Sequence, residues 1–351
     1  MQTSFQDKDV TVLLKDLTGC IKPMPTEERE KLIQSGTHYS EMLPLEYVPS
    51  EHYIEMYEKS LIENAKKTAN SVGVLAMNIY SIAKENEPIV LVSLARAGIP
   101  AAVLIKRYLE HRFHIDVKHY AISIIRDKGI DKNAMSYILD RHGPENIFFI
   151  DGWTGKGTIY KVLADALKDY PELSIDKFGV LADPANIMSL CGTHEDFIIP
   201  SSCLNSTVSG LISRTILRSD LIDEDDFHGA VYYPDLKDAD RTYEFIHTVQ
   251  NCFDWNIRPY IEFKKSMNGI NEVKRIAGQF KITDINKIKP GIGETTRVLL
   301  RRVPEVILIK DMTDTNVRHI IQLANEKGVQ VKEYPLKCYN AVGLIKELSD
   351  V

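Results

Sequence analysis

Residues Asn146–Leu167 read NIFFIDGWTGKGTIYKVLADAL, and their order decides the fold. Ile147–Ile150 is an unbroken apolar run, the pattern of a strand buried on both faces. It ends at Asp151, and the glycine-rich turn Asp151–Thr158 then opens a helix. The same strand, turn and helix occur upstream in Pro88–Ile105, PIVLVSLARAGIPAAVLI, which turns at Arg96, Ala97 and Gly98. A helix start carries unpaired backbone N–H groups and the positive end of the helix dipole, and so receives anions without side chains. Downstream, helix Ile159–Lys168 leads to strand Phe178–Ala182 (FGVLA) and then to Asp183-Pro184-Ala185. That order implies right-handed crossovers and a parallel α/β sheet. Two such turns on its carboxyl edge suggest a ligand with two phosphate groups.

Spacing excludes the two common nucleotide motifs. A P-loop needs lysine after its second glycine, but Thr158 follows Gly157 and Lys156 precedes it. A Rossmann G-x-G-x-x-G is absent as well. An acid at the strand end followed by T-G-x-G-T suits another task. Asp151 would hold sugar hydroxyls while Thr154, Gly155, Lys156, Gly157 and Thr158 wrap one phosphate.

These residues resemble those of the type I phosphoribosyltransferases. That resemblance implies a parallel-sheet domain with a helical N-terminal extension or hood over residues 1–75, the whole domain spanning 1–262. It also implies Mg2+-bound phosphoribosyl pyrophosphate as donor. Arg96, Ala97 and Gly98 would hold pyrophosphate, Thr154–Thr158 the sugar phosphate, and Asp151 the hydroxyls and the substrate-borne metal. The basic turn Arg126–Lys132 after Val117–Ile125 would close over the leaving group with Arg126 and Lys128. Ser202 and Asn205 would read an acceptor base of unidentified structure. Gly152 stands where the family has a second acid, so one carboxylate remains. The implied activity is pentosyl transfer yielding an N-ribosyl 5′-phosphate.

More narrowly, the chain resembles the bacterial family that joins such a domain to a pelota-type RNA-binding domain. That family is associated with tellurite resistance and stress, and is sometimes labelled a StiP-type cysteine protease. Residues 270–351 carry the second part. Helix Glu294–Arg302, strand Val306–Lys310, helix Thr315–Lys327, strand Val329–Tyr334 and helix Ala341–Leu348 predict a small α/β/α unit. The loop KPGIGETTR, Lys289–Arg297, is similar to the G-x-N-E-x-x-K loop of kink-turn-binding proteins, with Gly293 in place of the asparagine. Gly291, Gly293, Glu294, Arg297 and Arg301 are the RNA-facing residues this implies, for RNA read by shape and charge.

Bulk properties agree with two domains. The chain has 351 residues, 44% apolar and 26% charged, with net charge −6. Its last 84 residues hold 14 Lys+Arg against 10 Asp+Glu, so a mildly basic tail follows an acidic body. The periodic pattern lapses near Trp255–Gly269, the expected linker. No apolar run approaches the roughly 20 residues of a membrane helix. The N-terminus lacks a basic signal-peptide region, and five scattered cysteines suit a reducing compartment. Together these lead us to expect a cytoplasmic protein, forming homo-oligomers.

Two alternatives have residues of their own. Cys203, placed just before an expected helix Val208–Leu217, would have an acidified thiol there, with His194 or His228 as base for a cysteine hydrolase. A non-catalytic regulator binding a ribose phosphate and RNA would use the same two turns. The acidic run Asp220–Asp226 reads as a solvated loop.

Overall fold

The computed structural model describes residues 1–260, 265–302 and 304–345, without the side chains of residues 26, 27, 30 and 301. Its larger sheet contains Thr11–Val12 (β1), Ile89–Ala95 (β2), Val117–Ile125 (β3), Gly129–Ile130 (β4), Ile147–Trp153 (β5), Phe178–Ala182 (β6) and Leu190–Thr193 (β7). The order is β1-β3-β2-β5-β6-β7 and every pairing along it is parallel, while β4 folds back antiparallel on β3. The first strand after Asn146 therefore lies mid-sheet, as its unbroken apolar run requires.

Helices cover both faces. Glu51–Ile82 (α1) and Gly98–Phe113 (α2) pack on one side with Thr242–Gln250, burying Leu75, Ile79, Leu104 and Leu109 against Leu91, Phe148 and Leu181. Lys132–His142 (α3) and Thr158–Ala166 (α4) pack on the other, where Met135, Ile138 and Leu163 meet Val92, Phe149 and Val180. Fully burying one such side chain contributes roughly 1.5–3 kcal/mol, so these two layers dominate the stability of the body. Gly98 is required at the start of α2, since a Cβ there would lie 2.3 Å from the Ile150 carbonyl oxygen.

A four-stranded sheet forms the C-terminal part. It contains Ile288–Pro290 (β8), Pro304–Ile309 (β9), Gln330–Glu333 (β10) and Ala341–Ile345 (β11), ordered β8-β11-β9-β10. Asn268–Gln279 (α5), Ile292–Arg301 (α6) and Arg318–Glu326 (α7) accompany it.

Three sequence expectations need correction. Ala341–Ile345 is a strand paired on both sides rather than the start of a helix, and residues 346–348 lie outside the described residues. Its apolar run is too short for periodicity to separate the two states. Val208–Leu217 is not helical: Gly210 and Leu211 take positive φ, and Ile212 and Ile216 bridge to Tyr232 and Gly229. The expected helical extension over residues 1–75 is helical only at Thr26–Gln34 and from Glu51 onward. Its β-branched Thr11 and Val12 instead extend the large sheet beside β3.

Candidate active site

The carboxyl edge of the large sheet carries two adjacent centres. The first is a cleft of about 400 Å³ lined by Arg96, Ala97, Arg126, Asp151, Thr154, Gly155, Lys156, Gly157, Thr158 and Asn205. Most residues expected to meet phosphate are therefore brought together. Lys128 is not on that lining, and Gly98 lies beneath it against β5. Ser202, Gly291 and Gly293 line a small neighbouring cavity. Lys289, Glu294 and Arg297 close the cleft from the C-terminal side. Arg301 ends α6, and its side chain lies outside the described residues.

Several of these groups are already engaged. Arg96 donates to the Ile212 carbonyl at 2.8 Å and lies 3.6 Å from Glu46. Lys156 donates to the carbonyls of Ile285 and Ile288, and the Tyr339 hydroxyl donates to the Gly155 carbonyl. The Gly155–Lys156 turn thus seats the C-terminal part. Burial pushes the Lys156 ammonium down to about 8. It also pushes Asp151 up to about 7, against the opposing Gly152 N–H and Arg297.

The second centre lies on the outermost strands. Asp183 follows β6 directly, Cys191 sits in β7, and His194 follows β7 by one residue. Parallel pairing sets Cys191 opposite Val180 and Thr193 opposite Ala182, which brings the loop after β7 beside Asp183. Gly192 lets α1 approach closely, because a Cβ there would lie 2.3 Å from the Ser71 carbonyl oxygen.

Cys191 Sγ is 3.6 Å from His194 Nε2. His194 Nδ1 is 2.9 Å from the Asp183 carbonyl oxygen and 3.6 Å from its Oδ2. With Nδ1–H donating to that carbonyl, the lone pair on Nε2 is left for the thiol. The Asp183 side chain is fully buried. Its Oδ2 accepts from the N–H groups of Ile187 and Met188, both at 2.8 Å, while Oδ1 has no hydrogen-bond partner. Burial raises this carboxyl to about 7, opposed by those N–H groups and by His194. Cys191 is a partly exposed thiol. A sulfur, an imidazole and an acid side by side are the groups that a nucleophile, its base and an orienting residue require.

Cys203 lies apart from this cluster. It is 1% exposed inside the main hydrophobic core, after the short turn Pro200–Ser202. The helix expected to acidify it is absent, and His194 faces Cys191 instead. His228 is 2.8 Å from the Ser123 hydroxyl. The local signal for this cluster is Cys-x-x-His, with an aspartate directly after the preceding strand.

Comparison with known proteins gives the family. Residues 3–250 match the family described as tellurite-like stress resistance cysteine protease StiP. The chain belongs to the StiP family. Residues 267–347 match the PELOTA RNA binding domain. A relative named "Cysteine protease StiP", from Acinetobacter baylyi (strain ATCC 33305 / BD413 / ADP1), is 37% identical over 98% of this chain and 94% of its own.

StiP membership corrects the functional expectation. The family and this relative are named as cysteine proteases, so the phosphoribosyltransferase assignment fails, and its pentosyl-transfer activity with it. The turns that suggested it are strand-to-helix junctions, which report a fold geometry and not a reaction. The StiP-family and pelota pairing, the link with tellurite resistance and the cysteine-hydrolase class stand. Among the described residues, no helix is long and apolar enough to cross a membrane.

Proposed function

We propose that this chain is a cysteine hydrolase acting on amide bonds, with Cys191 as nucleophile, His194 as base and Asp183 as orienting group. The contact between Cys191 Sγ and His194 Nε2, with Nδ1 held by Asp183, carries the reading. Nε2 takes the thiol proton as sulfur attacks the carbonyl carbon, then returns it to the leaving amine. Water next enters by the same base and cleaves the thioester, restoring the thiol. The Asp183 carbonyl fixes the tautomer throughout, and its carboxylate steadies the imidazolium. The glycine-rich turns and the β3–β4 hairpin are in keeping with a phosphoribosyltransferase-like scaffold, read here as fold alone.

The test is alkylation and turnover by the full-length protein. Iodoacetamide should modify Cys191 first, and Cys191→Ala should abolish peptide hydrolysis while Cys203→Ala retains it. Loss of activity in Cys203→Ala with a fully active Cys191→Ala would overturn the assignment.

For the C-terminal part the proposed partner is structured RNA, supported by the PELOTA match. Its loop is engaged in this arrangement. The Asp196 carboxylate accepts from the N–H groups of Ile292 and Asn340 at 2.9 and 2.8 Å, and Gly293 faces Ser202. RNA reaching the start of α6 must displace Asp196, which occupies the place a phosphate would take.

A further inference from the structure

We propose that Cys191, His194 and Asp183 also form a Zn2+ site, and that the bound ion holds the hydrolase off. The second half rests on the hydrolase reading above, whereas the first does not. The three side chains each offer a ligand atom, and all these atoms lie within 4.8 Å of one another. Zinc bonds of about 2.3 Å to sulfur and 2.0–2.1 Å to nitrogen or oxygen, at tetrahedral angles, put ligand atoms roughly 3.4–3.6 Å apart. His194 Nδ1 is 3.9 Å from Cys191 Sγ and 3.6 Å from Asp183 Oδ2. Binding through Nδ1 replaces its hydrogen bond to the Asp183 carbonyl, and side-chain rotation closes the remaining difference.

The donor set selects the ion. A thiolate and an imidazole suit zinc, while Mg2+ and Ca2+ call for oxygen donors. The Cys191 proton passes to solvent as sulfur binds, so thiolate, carboxylate and Zn2+ sum to zero charge. That neutrality suits a site whose carboxylate is fully buried. Asp183 Oδ1 provides an independent pointer. It is buried and has no hydrogen-bond partner, an arrangement that leaves a full acceptor unused. A metal chelated by both oxygens of this carboxylate would satisfy it. With three protein ligands, the fourth position is left for water.

Occupancy and catalysis are mutually exclusive here, because the sulfur that attacks substrate is the sulfur that binds metal. Zinc would accordingly inhibit by removing the nucleophile, and a chelator or a competing metal-binding protein would restore it.

The experiment uses reduced, chelator-stripped full-length protein titrated with Co2+ as a spectroscopic probe. A thiolate-to-cobalt charge-transfer band should saturate at one equivalent and vanish when Zn2+ is added. Cys191→Ser should abolish the band, and Cys203→Ala should keep it. No band on the wild type, or a band surviving in Cys191→Ser, overturns the site. On the unmodified protein, Zn2+ at ten times its dissociation constant should slow iodoacetamide labelling of Cys191 about tenfold, since only the metal-free fraction reacts. Unchanged labelling would sink the inhibitory role. The cobalt band needs no turnover, so it survives failure of the hydrolase reading. Hydrolysis by stripped protein that zinc leaves unaffected would sink the inhibitory role and leave the hydrolase reading standing.

Discussion

Asp151 illustrates how one part-buried carboxyl shapes pH dependence. Its pKa rises from 3.8 to about 7, chiefly through burial. Between those values the folded protein holds a proton that the unfolded chain has released, so stability from this group falls as pH rises through the window. Above about pH 7 both states are ionised and the penalty is constant. Asp151→Asn should therefore leave the melting temperature nearly unchanged at pH 4, raise it progressively toward pH 7, and add nothing further by pH 8. A gain that is flat across this range would contradict the burial argument. At this scale the sequence pointed to cysteine chemistry and to Cys203, which the structure buries in the core. His194 was legible as a candidate base. Its partner depends on the register between β6 and β7, which brings Asp183 and Cys191 together although eight positions separate them.

Elements differed in how openly the sequence displayed them. The strand–turn–helix units at β2–α2 and β5–α4 were legible because apolar runs, glycines and amphipathic helices agreed. Ala341–Ile345 was not, since five apolar or small residues fit a strand or a helix end until a neighbouring strand decides. Val208–Leu217 failed for a related reason: its apolar residues serve irregular chain that packs on the core. The close approach of α2 to β5 makes a sharp prediction. Gly98→Ala places a methyl group 2.3 Å from the Ile150 oxygen. Relief requires α2 to shift, at a cost of about 1–3 kcal/mol, measurable as a lower urea midpoint with unchanged slope. An unaltered midpoint would show that this junction has slack.

The whole molecule is closed by contacts that cross between its two sheets. Asp196 accepts from Ile292 and Asn340, Lys156 reaches Ile285 and Ile288, and Tyr339 reaches Gly155. Burial raises Asp196 to about 6, countered by the N–H groups it accepts from. Asp196→Ala strands two N–H donors, each worth about 1–3 kcal/mol when buried and unmet. Docking should weaken by tenfold or more, since 1.4 kcal/mol is about tenfold. Limited proteolysis between Trp255 and Gly269 should quicken accordingly, and RNA affinity should rise as the α6 start is uncovered. Equal cleavage rates in both proteins would show that Asp196 does not hold the halves together. Sequence alone suggested two parts and a linker. It did not show that the loop expected to face RNA turns inward, because that depends on a carboxylate far away in the chain.

The passage from β6 to β7 is made by residues 183–189 alone, where parallel neighbours usually need a dozen or more. Leu190 pairs with Gly179, so the chain must return about 10 Å at roughly 3.3 Å per residue. Asp183–Asn186 is consumed by a turn closed from the Asn186 N–H to the Asp183 carbonyl, leaving Ile187–Ser189 for the return, with the Ile187 and Met188 N–H groups both turned onto the Asp183 carboxylate. This strap is short and is pinned to the carboxylate at its own head. Removing one residue would slide β7 by a step and turn the Cys191 sulfur to the opposite side of the sheet, whereas an added residue can bulge outward. The spacing between aspartate and cysteine is therefore a ruler, tolerant of lengthening and not of shortening.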